Sequence, residues 1–154
     1  MSSPSNSKAP SANKDSAFAE LGLAKTVQAV CEEIRQLYLW DAIPWVVGYS
    51  GGKDSSAVLQ LIWLALRDLP AEQRRKPVHV ISTDTLVEQP VVAAWVAASH
   101  KKMELAAAEQ GMPITPHKLV PELKDTFWVN LIGKGYPAPR KKFRWCTSRM
   151  KINP

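Results

Sequence analysis

Trp45-Val46-Val47-Gly48-Tyr49-Ser50-Gly51-Gly52-Lys53-Asp54-Ser55 is the stretch on which the fold turns. Its first five residues are apolar and β-prone, the composition of a buried strand. Two adjacent glycines follow, which let a backbone turn tightly and approach a ligand. A helix is then predicted from about Asp54, with Ala57, Val58, Leu61, Ile62, Ala65 and Leu69 on one face and Pro70 ending it.

The pattern repeats outward from this unit. Val78-His79-Val80-Ile81-Ser82 reads as a second strand. Pro90 suits the first turn of the next helix, which would pack through Val92, Trp95, Val96, Ser99, Met103 and Ala106. Gly111 is placed just past that helix, with Pro113 beyond. Ile114 to Val120 is a third strand or extended piece. Upstream, Leu21, Ala24, Val27, Cys31, Ile34 and Tyr38 recur at helical spacing over about 17–39, with Cys31 as a small core residue. Downstream, a short helix is predicted over about 121–132, a loop over 133–139 and a last helical turn or two over 144–151. The order β-α-β-α-β predicts an α/β fold, a parallel sheet with helices on both faces.

The chain has 154 residues, 45% hydrophobic and 22% charged, within the range of one globular domain. No apolar run approaches the roughly 20 residues that cross a bilayer, so no membrane association is expected. Two cysteines cannot build a disulfide scaffold, and 1–15 lacks the apolar core of a secretory signal, so a cytoplasmic location is expected. Residues 1–15 hold almost no bulky side chain and are expected to be a disordered tail, with one domain over 16–154. The sheet is small and the chain stops without a closing element, so the domain is expected to be incomplete at its C-terminus. The net charge of +6 is concentrated in Arg140, Lys141, Lys142, Arg144, Arg149 and Lys151, a segment without an acid. Such a block suits either a polyanionic partner or a solvated face.

Ser50, Gly51, Gly52, Lys53, Asp54 and Ser55, between a strand and a helix, form a candidate phosphate nest. The spacing does not fit the Walker A pattern, because Asp54 separates Lys53 from Ser55 and Gly48 stands too close to Gly52. An acid in an anion nest makes sense with a metal ion beside the phosphate, so Asp54 is a candidate Mg²⁺ ligand; its plainer role is to complement the helix dipole. Gly48-Tyr49-Ser50-Gly51-Gly52 also fits the G-x-S-x-G nucleophile elbow, with Asp84 and His117 in the required order.

Ser50-Gly51-Gly52-Lys53-Asp54-Ser55 resembles the S-G-G-x-D-[ST] fingerprint of the PP-loop ATP pyrophosphatases. Thr83-Asp84-Thr85 resembles the strand-end element of the phosphoadenylylsulfate (PAPS) reductase branch, and Arg144-Trp145-Cys146-Thr147-Ser148-Arg149-Met150-Lys151 its later R-x-C-T-x-x-x-K element. The combination looks most like the N-terminal part of a DndC-type DNA phosphorothioation sulfurtransferase. That resemblance implies an adenine nucleotide α-hydrolase-like, Rossmann-like fold that binds ATP and Mg²⁺. It implies cleavage between the α and β phosphates, with adenylation of a DNA phosphate and displacement of AMP by sulfur. Ser50 to Ser55 would hold pyrophosphate, with Lys53, Asp54 and Asp84 as the catalytic candidates. Asp84 and Thr85 would lie beside the nucleotide, Asp84 on the ribose or the metal unless it is simply a turn acid. Arg140, Lys141, Lys142, Arg144, Arg149 and Lys151 would contact phosphates of ATP or DNA. Cys146 would be one ligand of a [4Fe–4S] cluster whose other ligands lie outside this chain, unless it is a plain, partly buried thiol. A cysteine desulfurase and other DNA phosphorothioation proteins are the implied partners. A PAPS reductase or a sulfate adenylyltransferase subunit shares the loop and the strand-end element. A non-catalytic nucleotide- or partner-binding fragment is the alternative of another class. Trp128 and Trp145 flank the basic block, where either could stack on a base or simply pack.

Overall fold

The computed structural model describes residues 21–152, with side chains through Met150. The expected N-terminal tail lies outside the described residues. The elements in order are α1 (Leu23–Trp40), β1 (Trp45–Gly48), α2 (Lys53–Arg67), β2 (Val78–Thr83), α3 (Pro90–Gln110), β3 (Ile114–Leu119) and a one-turn α4 (Trp145–Thr147). Short 3₁₀ turns lie at Ala71–Gln73 and Leu123–Asp125, and π-helical turns at Val129–Gly133 and Ser148–Ile152. The short helix expected over 121–132 is therefore a 3₁₀ turn followed by a π turn. Among the described residues no helix is long and apolar enough to cross a membrane.

The architecture is α/β and consistent with a Rossmann-like fold: a three-stranded parallel sheet in the order β1-β2-β3, with helical crossovers. Paired residues of parallel strands share a face, so the register sorts the side chains. Trp45, Val47, Val78, Val80, Ile114 and Pro116 lie on one face. Val47, Val78, Val80 and Ile114 belong to a single buried cluster with Tyr38 of α1, Leu59, Ile62 and Leu66 of α2, and Met103 and Ala107 of α3. All three long helices therefore pack on that face. Each fully buried Val or Leu there contributes about 1.5–3 kcal/mol from apolar burial. The opposite face carries Val46, His79, Ile81, Thr115, His117 and Leu119, of which Val46 and Leu119 are exposed. The expectation of helices on both faces is thus met on one face only among the described residues. The reason is topological: β1, β2 and β3 step in one direction, and crossovers of the same hand then put both connecting helices on the same side.

Local sequence explains the element ends. Gly111 ends α3 in the left-handed conformation (φ 58°, ψ 41°), and its N–H and that of Met112 bond back into the last turn. Pro90 occupies the first turn of α3 as expected. Ile62, Ala65 and Leu69 are buried as predicted, but the rest of the α2 seam is rotated from the predicted one. Leu59 and Leu66 are buried, whereas Val58 is exposed. Tyr38, at the end of α1, is fully buried and its hydroxyl donates to the Lys76 carbonyl at 2.6 Å. The buried Lys76 ammonium lies over the rings of Tyr38 and Trp45 and pairs with Asp41 at 2.7 Å. Burial raises the Tyr38 phenol above its usual range, and the Lys76 hydrogen bond holds the Asp41 carboxyl below the usual carboxylate range.

Candidate functional site

The loop between β1 and α2 leaves the sheet at its carboxyl edge. Open parallel sheets bind ligands at that edge, because loops and helix N-termini converge there. The Tyr49 N–H continues the ladder to the Ile81 carbonyl at 2.8 Å, and the chain then turns. Gly51 adopts φ 74°, a conformation that L side chains rarely take, and Gly52 caps α2 without a side-chain bond. Two serines close the loop on itself. Ser50 Oγ lies 3.2 Å from Ser55 Oγ, the Ser50 N–H donates to Ser55 Oγ at 3.3 Å, and Ser55 Oγ donates to the Gly52 carbonyl at 3.1 Å. Lys53 and Asp54 are exposed on the first turn of α2, and neither forms an ion pair among the described residues.

α3 presses on this loop. A Cβ on Gly51 would lie 2.9 Å from Val96 Cγ2 and 3.1 Å from Trp95 Cδ1. The Trp95 indole N–H donates to the Gly51 carbonyl at 3.2 Å. Trp95 was expected in the apolar seam of α3, but it is 58% exposed, because it leans over the loop rather than into the core.

Beside the loop, a cavity of about 300 Å³ opens between the ends of β1 and β2 and the first half of α3. Tyr49, Ile81, Val92 and Val96 supply apolar wall, and Ser50, Asp84, Glu88, His100 and Lys118 supply polar groups. Ser82 and His100 tie its floor together. The Ser82 hydroxyl donates its single proton to the Tyr49 carbonyl at 2.6 Å. The 2.7 Å contact between Ser82 Oγ and His100 Nε2 must then be donated by the imidazole, which assigns the proton to Nε2. Burial pushes the His100 imidazole below its usual range, in keeping with a neutral ring.

Of the sequence-predicted residues, Ser50 and Asp84 line this cavity. Gly51, Gly52, Lys53, Asp54, Ser55 and Thr85 do not. Asp84 has both carboxylate oxygens engaged: Oδ1 accepts the Leu86 N–H at 2.8 Å and Oδ2 meets Lys118 Nζ at 2.7 Å. Lys118 first, then the Leu86 N–H, holds this carboxyl below the usual carboxylate range. Asp84 thus has a turn role, and each carboxylate oxygen keeps a second lone pair with which it could still meet a ligand in the cavity. The next turn is strained, with the exposed Leu86 at φ 61°. Thr85 is buried, its hydroxyl directed to Glu88 at 3.2 Å.

The elbow reading of Ser50 finds no support. The hydrogen bonds of Ser50 are to Ser55 and the Gly52 N–H, and His117 pairs with His79 at 2.9 Å on the open sheet face. Lys118, His100, Trp95 and Glu88 were missed by sequence reading. Lys118 had a usable signal, as the penultimate residue of a parallel strand whose carboxyl end faces the site. His100 and Trp95 had none, because their roles depend on how α3 crosses the sheet.

The basic segment is exposed at Arg140, Lys141, Lys142, Arg144 and Arg149, and none of these lines the cavity. The side chain of Lys151 lies outside the described residues. Arg140 and Phe143 exchange both backbone hydrogen bonds at 2.9 Å, so Lys141 and Lys142 form the tip of a tight turn. Trp145 is buried against Phe127 (centroids 5.3 Å, 13° apart) and Tyr136, and its indole donates to the Pro137 carbonyl at 2.9 Å. It packs; Trp128 is the exposed one. The Arg149 guanidinium lies 5.0 Å over the Tyr136 ring. Cys146 is half-buried, whereas Cys31 is buried with its thiol 3.7 Å from the Leu61 carbonyl. Among the described residues no three His, Cys, Asp or Glu side chains converge on a metal position.

Comparison of the sequence with protein-family models finds no match, and neither the curated proteins nor the solved structures yield one.

Proposed function

We propose that the protein is an ATP-using sulfurtransferase that places sulfur on the DNA backbone. The observation that carries this reading is the self-bonded loop Ser50–Ser55, running from β1 into the N-terminus of α2 beside a cavity with apolar walls and a polar rim. A nest at a helix N-terminus suits a pyrophosphate, and a cavity of that character suits a flat base with a polar sugar. The S-G-G-K-D-S resemblance names ATP as the nucleotide.

The chain's own residues supply positioning and charge. The amides of the loop and the dipole of α2 stabilise the pyrophosphate as it departs, and Lys53, exposed on the first turn of α2, adds a cation beside them. Asp54, exposed and without an ion-pair partner among the described residues, fits a Mg²⁺ ligand, and that ion would neutralise charge on the phosphates. In the proposed reaction a non-bridging DNA phosphate oxygen attacks the α-phosphorus of ATP and pyrophosphate leaves. Sulfur at the hydrosulfide level then attacks the DNA phosphorus. The P–S bond forms, the P–O bond to AMP breaks, and the sulfur loses its proton. Lys141, Lys142, Arg140 and Arg144 form the exposed surface for the DNA backbone, with a strongly salt-dependent affinity. One accessible thiol does not satisfy a [4Fe–4S] cluster, which takes four, so no step is derived through one. A cysteine desulfurase is the proposed sulfur source, its persulfide being reduced by a thiol, which leaves hydrosulfide and a disulfide.

The test is mass spectrometry of nuclease-digested host DNA, with the gene intact, deleted, or carrying Asp54→Ala. Phosphorothioate-linked dinucleotides should be present with the intact gene and absent in the other two strains. Their absence from every strain would remove DNA as the substrate and leave sulfate or PAPS chemistry on the same loop. ATP should also raise the melting temperature of the chain, and Asp54→Ala should weaken that shift.

A further inference from the structure

His79 of β2 and His117 of β3 stand on the sheet face that no described helix covers, and neither lines the cavity. They lie diagonally across the β2–β3 register, since His79 is opposite Thr115 and Ile81 is opposite His117. His79 Nδ1 and His117 Nε2 are 2.9 Å apart, the ring centroids are 5.0 Å apart, and the planes are tilted by 49°. Both rings are half-buried, while neighbouring Thr115, Leu119 and Val46 are exposed, so solvent reaches this face.

We propose that this pair is a two-imidazole site for a divalent d-block cation, Cu²⁺ or Ni²⁺ by its geometry, with water completing the coordination. Two metal–nitrogen bonds of about 2.0 Å at a right angle put the nitrogens about 2.8 Å apart, and at a tetrahedral angle about 3.3 Å. The observed 2.9 Å matches the square-planar bite, which Cu²⁺ and Ni²⁺ favour. Two rigid, adjacent strands hold the two donors, so binding requires only rotation of the rings. Each neutral imidazole has one N–H. Ligation bares both facing nitrogens, so the proton between them moves to the other nitrogen of its own ring and the rings stay neutral. This site is independent of the proposed ATP chemistry.

The test uses the full, tag-free 154-residue chain titrated with Cu²⁺. Isothermal titration should show one equivalent bound, weakened at least tenfold in both His79→Gln and His117→Gln. Electron paramagnetic resonance should show two nitrogen donors. Thermal melts of the metal-free variants establish that they fold. A wild-type amide spectrum makes the test independent of the variants: paramagnetic broadening should centre on His79, Ile81, Thr115 and His117. Broadening centred on Cys146 or His100, a thiolate charge-transfer band, or affinity within threefold of wild type in either variant overturns the proposal.

Discussion

Substituting Gly51 by Ala tests the link between loop conformation and helix packing. Two costs act there. A non-glycine residue in the left-handed region costs about 1–2 kcal/mol. The new methyl would also sit 2.9 Å from Val96 Cγ2 and 3.1 Å from Trp95 Cδ1. Overpacking of that kind costs about 1–3 kcal/mol, so the sum is about 2–5 kcal/mol. For a domain of this length, each kcal/mol shifts the melting temperature by about 2–4 °C, so a drop of about 4–20 °C is expected. Gly52→Ala is the comparison. Gly52 has φ −82° and its Cβ would meet only Ser50 Oγ at 3.4 Å, so losing glycine at the cap should cost about 1 kcal/mol or less. Val96→Ala removes the group that Gly51→Ala collides with. The double variant should therefore be about 1–2 kcal/mol more stable than the sum of the single changes, leaving the backbone cost. Calorimetry on the wild type and the four variants reads this directly. Equal losses in Gly51→Ala and Gly52→Ala, or strict additivity with Val96→Ala, would refute the argument that α3 sets the loop.

Three further outcomes are expected. Leu86→Gly removes the strained conformation and loses the conformational restriction of Leu, for a net gain of about 0–1 kcal/mol; a melting temperature lowered by more than a degree or two contradicts the strain. Tyr38→Phe deletes the 2.6 Å bond to the Lys76 carbonyl in a buried setting and should cost about 1–3 kcal/mol in denaturant unfolding, while Leu37→Ala, on the exposed face of α1, costs far less. The Asp84 carboxyl is held below its ordinary value, so its contribution to stability is present above about pH 4 and is lost as the pH falls through the depressed value. Asp84→Asn should flatten that acid limb of a stability–pH profile, and an unchanged limb would show that Lys118 does not stabilise the carboxylate.

The alternation of strand and helix was legible because each element has its own periodicity. The same holds for Pro90 and Gly111, whose backbone geometry is set by their own covalent structure. The loop Ser50–Ser55 was readable for a related reason: glycines, hydroxyls and a following helix are contiguous in the chain. The short apolar segment after Pro121 was less readable, because its 3₁₀ and π turns are chosen by packing among Phe127, Tyr136 and Trp145. The rotated seam of α2 has the same origin. Leu59 and Val58 are equally apolar, and only the position of the sheet decides which is buried.

What the linear chain determined by itself is therefore local: the α/β pattern, the turn that carries the candidate phosphate nest, and the concentration of charge at Arg140–Lys151. What the tertiary structure alone decided is everything that joins distant segments. It put α1, α2 and α3 on one sheet face and left His79 beside His117 on the other. It tied Asp84 to Lys118, leaned Trp95 over Gly51 and joined Ser82 to His100 at the cavity floor. The physical reason is that periodicity and turn chemistry act within a few residues. Strand order and helix crossing, set by burial of the whole apolar surface at once, decide which of those local pieces meet.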